Sequence, residues 1–193
     1  MRARRLLVAH CVVLCSAAVP AGAAEIAGVN IDDKARVGGS ELVLNGVGLR
    51  TRAFFKVYAA GLYLSEKKTS AAEAIAAPGP KRVSMTLLRE ITAQQLSDAL
   101  EEGMRDNTPA AELEKLKPRI AKLTEIMTSI GAAKTGMTVA LDFLPGSGTR
   151  VLVNGAPRGD SIEGEDFYRA LLRIWLGESP ADRSLKNGLL GQK

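Results

Sequence analysis

Two arginines and two tyrosines stand close together in one stretch, Glu41 to Ser65 (ELVLNGVGLRTRAFFKVYAAGLYLS): Arg50, Arg52, Tyr58 and Tyr63. A guanidinium is a permanent cation with a planar fork of donors, suited to holding a carboxylate or phenolate oxygen. A nearby phenol adds a neutral hydroxyl donor. The stretch is also the longest apolar-rich run outside the N-terminus. Other chemistry is scarce. The single histidine, His10, and both cysteines, Cys11 and Cys15, lie at the start of the chain.

That start reads as a secretory signal. Arg2, Arg4 and Arg5 give a positive leader, and Leu6 to Val19 is apolar apart from His10 and Ser16. Pro20 then breaks the run, and Ala21-Gly22-Ala23 is a small-x-small cleavage site. The apolar run is short for a membrane-spanning helix. The expectation is a signal at 1–23 and one domain at 24–193, periplasmic or secreted, with no membrane span after cleavage. Such a domain has neither Cys nor His. Disulfides, zinc sites built on Cys or His, cysteine nucleophiles and the Ser-His-Asp triad are all excluded. No metal or cofactor is expected.

Charge excludes a further class. The whole chain has 26 Lys+Arg against 21 Asp+Glu and a pI near 9.4. Three of those arginines belong to the signal, and no acid does. The remaining balance is close to neutral with mixed signs, so no nucleic-acid footprint is present.

The elements that must position the arginines and tyrosines follow from pattern. Glu25 to Ile31 is a short strand candidate, and Asp32 to Ser40, with Gly38-Gly39, reads as a turn. Leu42 to Leu44 starts a strand, and Asn45-Gly46 is a turn dipeptide of the hairpin kind. Gly46 and Gly48 permit a bulge or the close approach of another group. Ala53 to Leu64 fits a strand buried on most of its surface. Alternation sets Phe55, Val57, Ala59 and Tyr63 against Phe54, Lys56, Tyr58, Ala60 and Leu62. Lys56 and Tyr58 mark their face as more than core, although Lys56 by itself reads as a solvated edge charge.

Further along, Ser70-Ala-Ala-Glu73 is a capping box for a short helix to Ala76, stopped by Pro78-Gly79-Pro80. Lys81 to Arg89 is a strand. Thr92 to Gln95 is a second capping box, opening a helix with Leu96, Ala99, Leu100 and Met104 on one face. Thr108-Pro109 starts the next helix in an N-cap/N1 arrangement, and Pro118 is expected to kink or restart it. Met137 to Leu144 and Thr149 to Val153 are strands, followed by an Asn154-Gly155 hairpin turn. Glu163 to Leu176 is an amphipathic helix whose buried face includes Phe167 and Trp175, and Gly177 closes it. Ser179-Pro180-Ala-Asp182 opens a last helix. Asp142, unusual inside a strand, either faces solvent or pairs with an arginine, and is given no functional role. The sum is an α+β domain, a mostly antiparallel sheet with helices on one side.

Three pieces of the sequence resemble the chalcone isomerase-like family in its bacterial exported branch. They are Leu42 to Leu64, Arg89 to Gly103 (REITAQQLSDALEEG) and Gly164 to Gly191 (GEDFYRALLRIWLGESPADRSLKNGLLG). The resemblance implies an open-faced β-sandwich, a large antiparallel sheet layered with helices, with a cleft between the two. Some members of this fold cyclise chalcones; others lack that activity and bind fatty acids or assist other enzymes.

The family's arginine follows a G-x-G-x motif, here Gly46-Val-Gly48-Leu-Arg50, so Arg50 inherits that role, with Arg52 as the competing candidate. The isomerase threonine in an F-x-K-F-T pattern becomes Tyr58, as in the fatty-acid-binding branch, where Arg and Tyr together hold a carboxylate. The isomerase tyrosine and asparagine fall on Leu96 and Gly103, which can do the work of neither. On one straight strand Arg50 and Tyr58 would stand roughly 26 Å apart, at about 3.3 Å per residue. They share a ligand only if the chain reverses or sharply bends between them, a reversal that the resemblance implies as a hairpin and the sequence alone does not. The first expectation is therefore a non-catalytic binder of a fatty acid or similar amphiphile through Arg50 and Tyr58. The second is an isomerase acting on a chalcone-like or other small substrate, with Arg50 stabilising an oxyanion.

Overall fold

A computed structural model describes residues 23–192. The secretory-signal reading falls outside these residues except at Ala23. The described residues open with a two-stranded hairpin, β1 (Ala23–Ile26) and β2 (Val29–Asp32). Seven antiparallel strands follow in one sheet, neighbours in space as in sequence. They are β3 (Lys34–Val37), β4 (Ser40–Arg52), β5 (Phe55–Leu64), β6 (Lys81–Leu87), β7 (Thr138–Leu144), β8 (Gly148–Val153) and β9 (Ala156–Ile162). Between and after them lie α1 (Ala71–Ala76), α2 (Ala93–Asn107), α3 (Ala110–Ile130), α4 (Glu165–Leu176) and α5 (Arg183–Leu189).

The helices cover one face of the sheet. Leu62, Val83, Leu141 and Val151 from the strands bury against Met104, Leu123, Phe167, Leu171, Trp175 and Leu185 from the helices. Each large apolar side chain removed from water contributes about 1.5–3 kcal/mol. The other face of β4 and β5 is covered by the first hairpin and β3, through Ile31, Val37, Leu42, Ala59 and Tyr63. This is the α+β, open-faced β-sandwich expected above. Among the described residues no helix is long and apolar enough to cross a membrane.

Several local expectations hold. Thr92 and Gln95 form the complete capping box of α2. At the start of α1 half of the expected box forms: the Ser70 side chain accepts from the Glu73 backbone N–H at 3.2 Å, without a return bond to the Glu73 side chain. Asp142, inside β7, is buried and bonded by both guanidinium arms of Arg82, its partner across the ladder, at 2.5 and 2.7 Å.

Others do not. Asn45-Gly46 is no turn: β4 runs straight through it, and Asn45 is an extra residue bulged out of the ladder between Leu44 and Gly46. Its side chain is buried and bonds Lys68 N, Lys68 O and Leu189 O instead. The Asp32 to Ser40 segment contains β3 besides its Gly38-Gly39 turn, and Ala27-Gly28 splits the first strand candidate into two. Thr108 makes no cap for α3, whose cap residue is Pro109. Pro118 sits inside an unbroken α3. It is exposed, so the carbonyl it leaves unbonded faces water, while Leu116, Leu123 and Met127 hold the helix down.

Among the described residues four tight hairpins share one turn geometry, with both central residues at positive φ. They are Ala27-Gly28, Gly38-Gly39, Ala53-Phe54 and Asn154-Gly155. Glycine takes the second position in three of them. At β4–β5 that place belongs to Phe54, at φ 71°, after Ala53 at φ 44°. Left-handed backbone costs a residue with a Cβ about 1–2 kcal/mol. Replacing Ala53-Phe54 by Asn-Gly is expected to stabilise the fold by about 1 kcal/mol after glycine's own entropy loss is subtracted. Urea unfolding checks this; an unchanged or lower midpoint would show that the turn carries no strain.

Candidate functional site

The reversal that Arg50 and Tyr58 require is present. The two residues are direct partners across the β4–β5 ladder. Beside them the register shifts, because Val57 is an extra residue opposite the step from Arg50 to Thr51. The bulge turns Val57 to the helix side of the sheet, next to Tyr58, rather than to the face of Ala59 and Tyr63 that strict alternation predicts. The Arg50 guanidinium carbon lies 5.7 Å from the centre of the Tyr58 ring.

Tyr58 is buried, and its hydroxyl oxygen accepts a hydrogen bond from Trp175 Nε1 at 2.8 Å. The hydroxyl proton has no acceptor among the described residues. Burial pushes this phenol's pKa up, and the Arg50 charge and the Trp175 bond pull only partly against it. Tyr58 is therefore a neutral donor. Arg50 Nε is also buried without a partner. Among the described residues Arg50 takes part in no ion pair. These two donors belong to cross-strand partners that line the same cleft, and neither has a partner to receive its hydrogen among the described residues.

They open on a cleft of about 460 Å³, walled by Val57, Ile91, Leu96 and Ala99 and edged by Phe55 and Arg89. Behind it a chamber of about 60 Å³ is lined by Met85, Leu100, Met127, Leu141 and Trp175. On the other side lies a polar recess of about 220 Å³, with Thr51, Glu102, Asp106 and Ser179. Arg50 borders all three spaces. A groove of about 540 Å³ between α2 and α3 contains none of the candidate site residues.

The remaining candidates separate by position. Arg52 is exposed at the outer edge of the cleft, while Arg50 is half-buried inside it. Lys56 is exposed. Tyr63 is on the opposite face, donating to Asp32 O at 2.9 Å, its pKa lifted by burial to about 12. Leu96 lines the cleft and Gly103 the polar recess. A Cβ at Gly103 would come within 2.8 Å of Ile174 Cγ2, so an asparagine there would force Ile174 aside.

A model of chalcone isomerase-like proteins matches residues 23–191. The chain belongs to the chalcone isomerase-like family. A similar solved structure is a fatty-acid binding protein from Arabidopsis thaliana, 18% identical, with a TM-score of 0.65 over 84% of this chain and 92% of that one. At that identity the likeness shows the fold. Curated proteins give no match to this sequence.

In this chalcone isomerase-like domain two residues that sequence reasoning placed outside the site support it. Trp175 reads as core and is buried, but its N–H also fixes the Tyr58 hydroxyl. The available signal was general: a buried indole N–H must find an acceptor. Asp182 is the other. One of its oxygens accepts from Thr51 N and Oγ1, both at 3.0 Å, next to Arg50; the other accepts from Ser184 N and Leu185 N at the start of α5. A single carboxylate thus ties α5 to the strand segment that carries Arg50.

Burial by itself would raise the pKa of the Asp182 carboxyl, but hydrogen bonds from Ser184, Thr51 and Leu185 outweigh it and hold the group at about 2. That is below the unfolded value of about 3.9. Its stabilising contribution is therefore present above about pH 4 and lost as pH falls towards 2. Asp182→Ala is expected to lower stability at neutral pH by about 1–2 kcal/mol, as for loss of a helix cap. It should also remove part of the acid sensitivity between about pH 4 and 2. Urea midpoints of both forms across this range test the point; a constant gap down to pH 2 would contradict it.

Proposed function

We propose that this protein binds a fatty acid or a similar amphiphilic carboxylate in the periplasm, without catalysis, with the acid group at Arg50 and Tyr58. The observation that carries this reading is the pair of unanswered donors, the buried Arg50 Nε and the Tyr58 hydroxyl proton, at the edge of an apolar cleft. A buried donor left unpaired costs about 1–3 kcal/mol, so an arriving carboxylate relieves a standing penalty as well as forming charge-assisted bonds. Val57, Ile91 and Leu96 offer apolar wall for a hydrocarbon chain. That a protein of this fold from Arabidopsis thaliana is a fatty-acid binding protein supports the same ligand class. The signal-like first 23 residues support the location.

The isomerase reading rests on the same free guanidinium, which would stabilise an oxyanion. It lacks the two groups expected on α2. Leu96 has no proton to give, and Gly103 is packed against Ile174, where a larger polar side chain does not fit unaided.

Native mass spectrometry of protein isolated from the periplasm provides the test. A bound mass released on denaturation as a fatty acid is expected in wild type and absent in Arg50→Ala. In titrations with a fatty acid, Arg50→Ala should weaken binding by about 1.5–3 kcal/mol. An unchanged dissociation constant would refute the anchor. Turnover of a chalcone that disappears in Arg50→Ala would replace binding with catalysis. Trp175→Phe removes the bond that orients Tyr58 and is expected to weaken the same ligand by about 0.5–1.5 kcal/mol. Equal affinity in Trp175→Phe and wild type would show that Tyr58 needs no such support.

A further inference from the structure

The Ala53-Phe54 turn breaks the rule that the molecule's other tight hairpins obey, and the fold recovers nothing for it. Phe54 occupies the position given to glycine in three other turns, yet its side chain is fully exposed. Phe55, beside it, is 61% exposed. Among the described residues these two are the exposed large hydrophobics. Such a rule broken without return inside the fold points to a use outside it.

The surroundings indicate which use. Arg52 and Lys56, on either side of the two rings, are exposed. The guanidinium carbon of Arg89 lies 4.8 Å from the centre of the Phe55 ring. One acid, Glu90, also borders this end of the cleft. The tip is thus two aromatic rings within a collar of three cations. We propose that the β4–β5 tip docks the protein on an anionic lipid surface, with Phe54 entering the boundary between headgroups and acyl chains. Arg52, Lys56 and Arg89 would lie at the level of the lipid phosphates. Arg52, Ala53 and Phe55 also line the cleft, so docking brings the cleft's outer end to the leaflet.

A second copy of this chain is the poorer occupant. Two tips meeting about a two-fold axis would bring like charges together. Two rings also cover far less than the roughly 1,200–2,000 Å² of a stable protein interface. A lipid surface needs only shallow apolar insertion with basic support. The inference does not depend on what fills the cleft.

Flotation with lipid vesicles tests it, using the full secreted protein. Wild type is expected to float with vesicles of equal parts phosphatidylglycerol and phosphatidylcholine. It should stay behind with phosphatidylcholine alone, and be released by about 0.5 M salt. Phe54→Asn suits the left-handed backbone, keeps the fold and lies outside the cleft lining; it should lower partitioning about tenfold or more. Phe54→Trp should keep it. Absence of flotation with anionic vesicles would overturn the proposal, and so would equal flotation by wild type and Phe54→Asn. A wild-type dimer that Phe54→Asn converts to monomer, with no vesicle binding by either, would assign the tip to self-association instead. Fatty-acid affinity measured on Phe54→Asn is expected to be unchanged, which separates docking from the ligand site.

Discussion

Helix α5 lies directly on the backbone of β4, with no side chain between them at Gly46, Gly48 or Gly188. A Cβ at Gly46 would fall on the Gly188 carbonyl oxygen, and one at Gly48 would stand 2.7 Å from Leu185 O. A Cβ at Gly188 would meet Val47 O. This approach sets the height of α5 above the sheet. It brings Asp182 within reach of Thr51 and Leu189 within reach of the bulged Asn45. The arginine two residues past Gly48 is therefore held from both sides: by the ladder to Tyr58 and by the carboxylate on its neighbour Thr51. The G-x-G that precedes Arg50 is above all a seat for a helix.

That role explains where pattern reading succeeded and failed. Thr92-x-x-Gln95 has one meaning, because both of its hydrogen bonds are made within four residues. Asn154-Gly155 likewise satisfies its turn locally. Asn45-Gly46 has the same chemistry but is claimed by partners far along the chain, Lys68 and Leu189, which no local rule can see. β3 is only four residues long and gains its place by pairing with β4. α3 runs on past Pro118 without restarting for a related reason: burial along the helix outweighed a lost bond on its wet side.

The site was legible in parts. Arg50 stands out by residue type and by its motif, and Tyr58 by its place on an otherwise apolar strand. Their pairing depends on a turn built from Ala53 and Phe54, neither of which announces left-handed backbone, so only the family resemblance supplied it. Val57 reached the cleft through a bulge that shifts the strand's alternation, an event with no signature in the run RAFFKVYAAG. Trp175 was read correctly as buried, while the second duty of its N–H followed only once Tyr58 stood opposite.

The chemical make-up of the cleft has one more consequence. Residues 23–193 contain no histidine and no cysteine. Arginine keeps its charge in proteins, and the phenol facing Arg50 is pushed towards the alkaline side. Among the described residues the Arg50–Tyr58 end of the cleft therefore lacks the one side chain whose ordinary titration falls between about pH 5 and 8. A carboxylate held there would answer to acidification only through its own protonation, with the protein as a fixed electrostatic background. Exchange of any cargo bound there would be governed by competition and by the local surface it meets, with no histidine in the cleft to drive release by protonation.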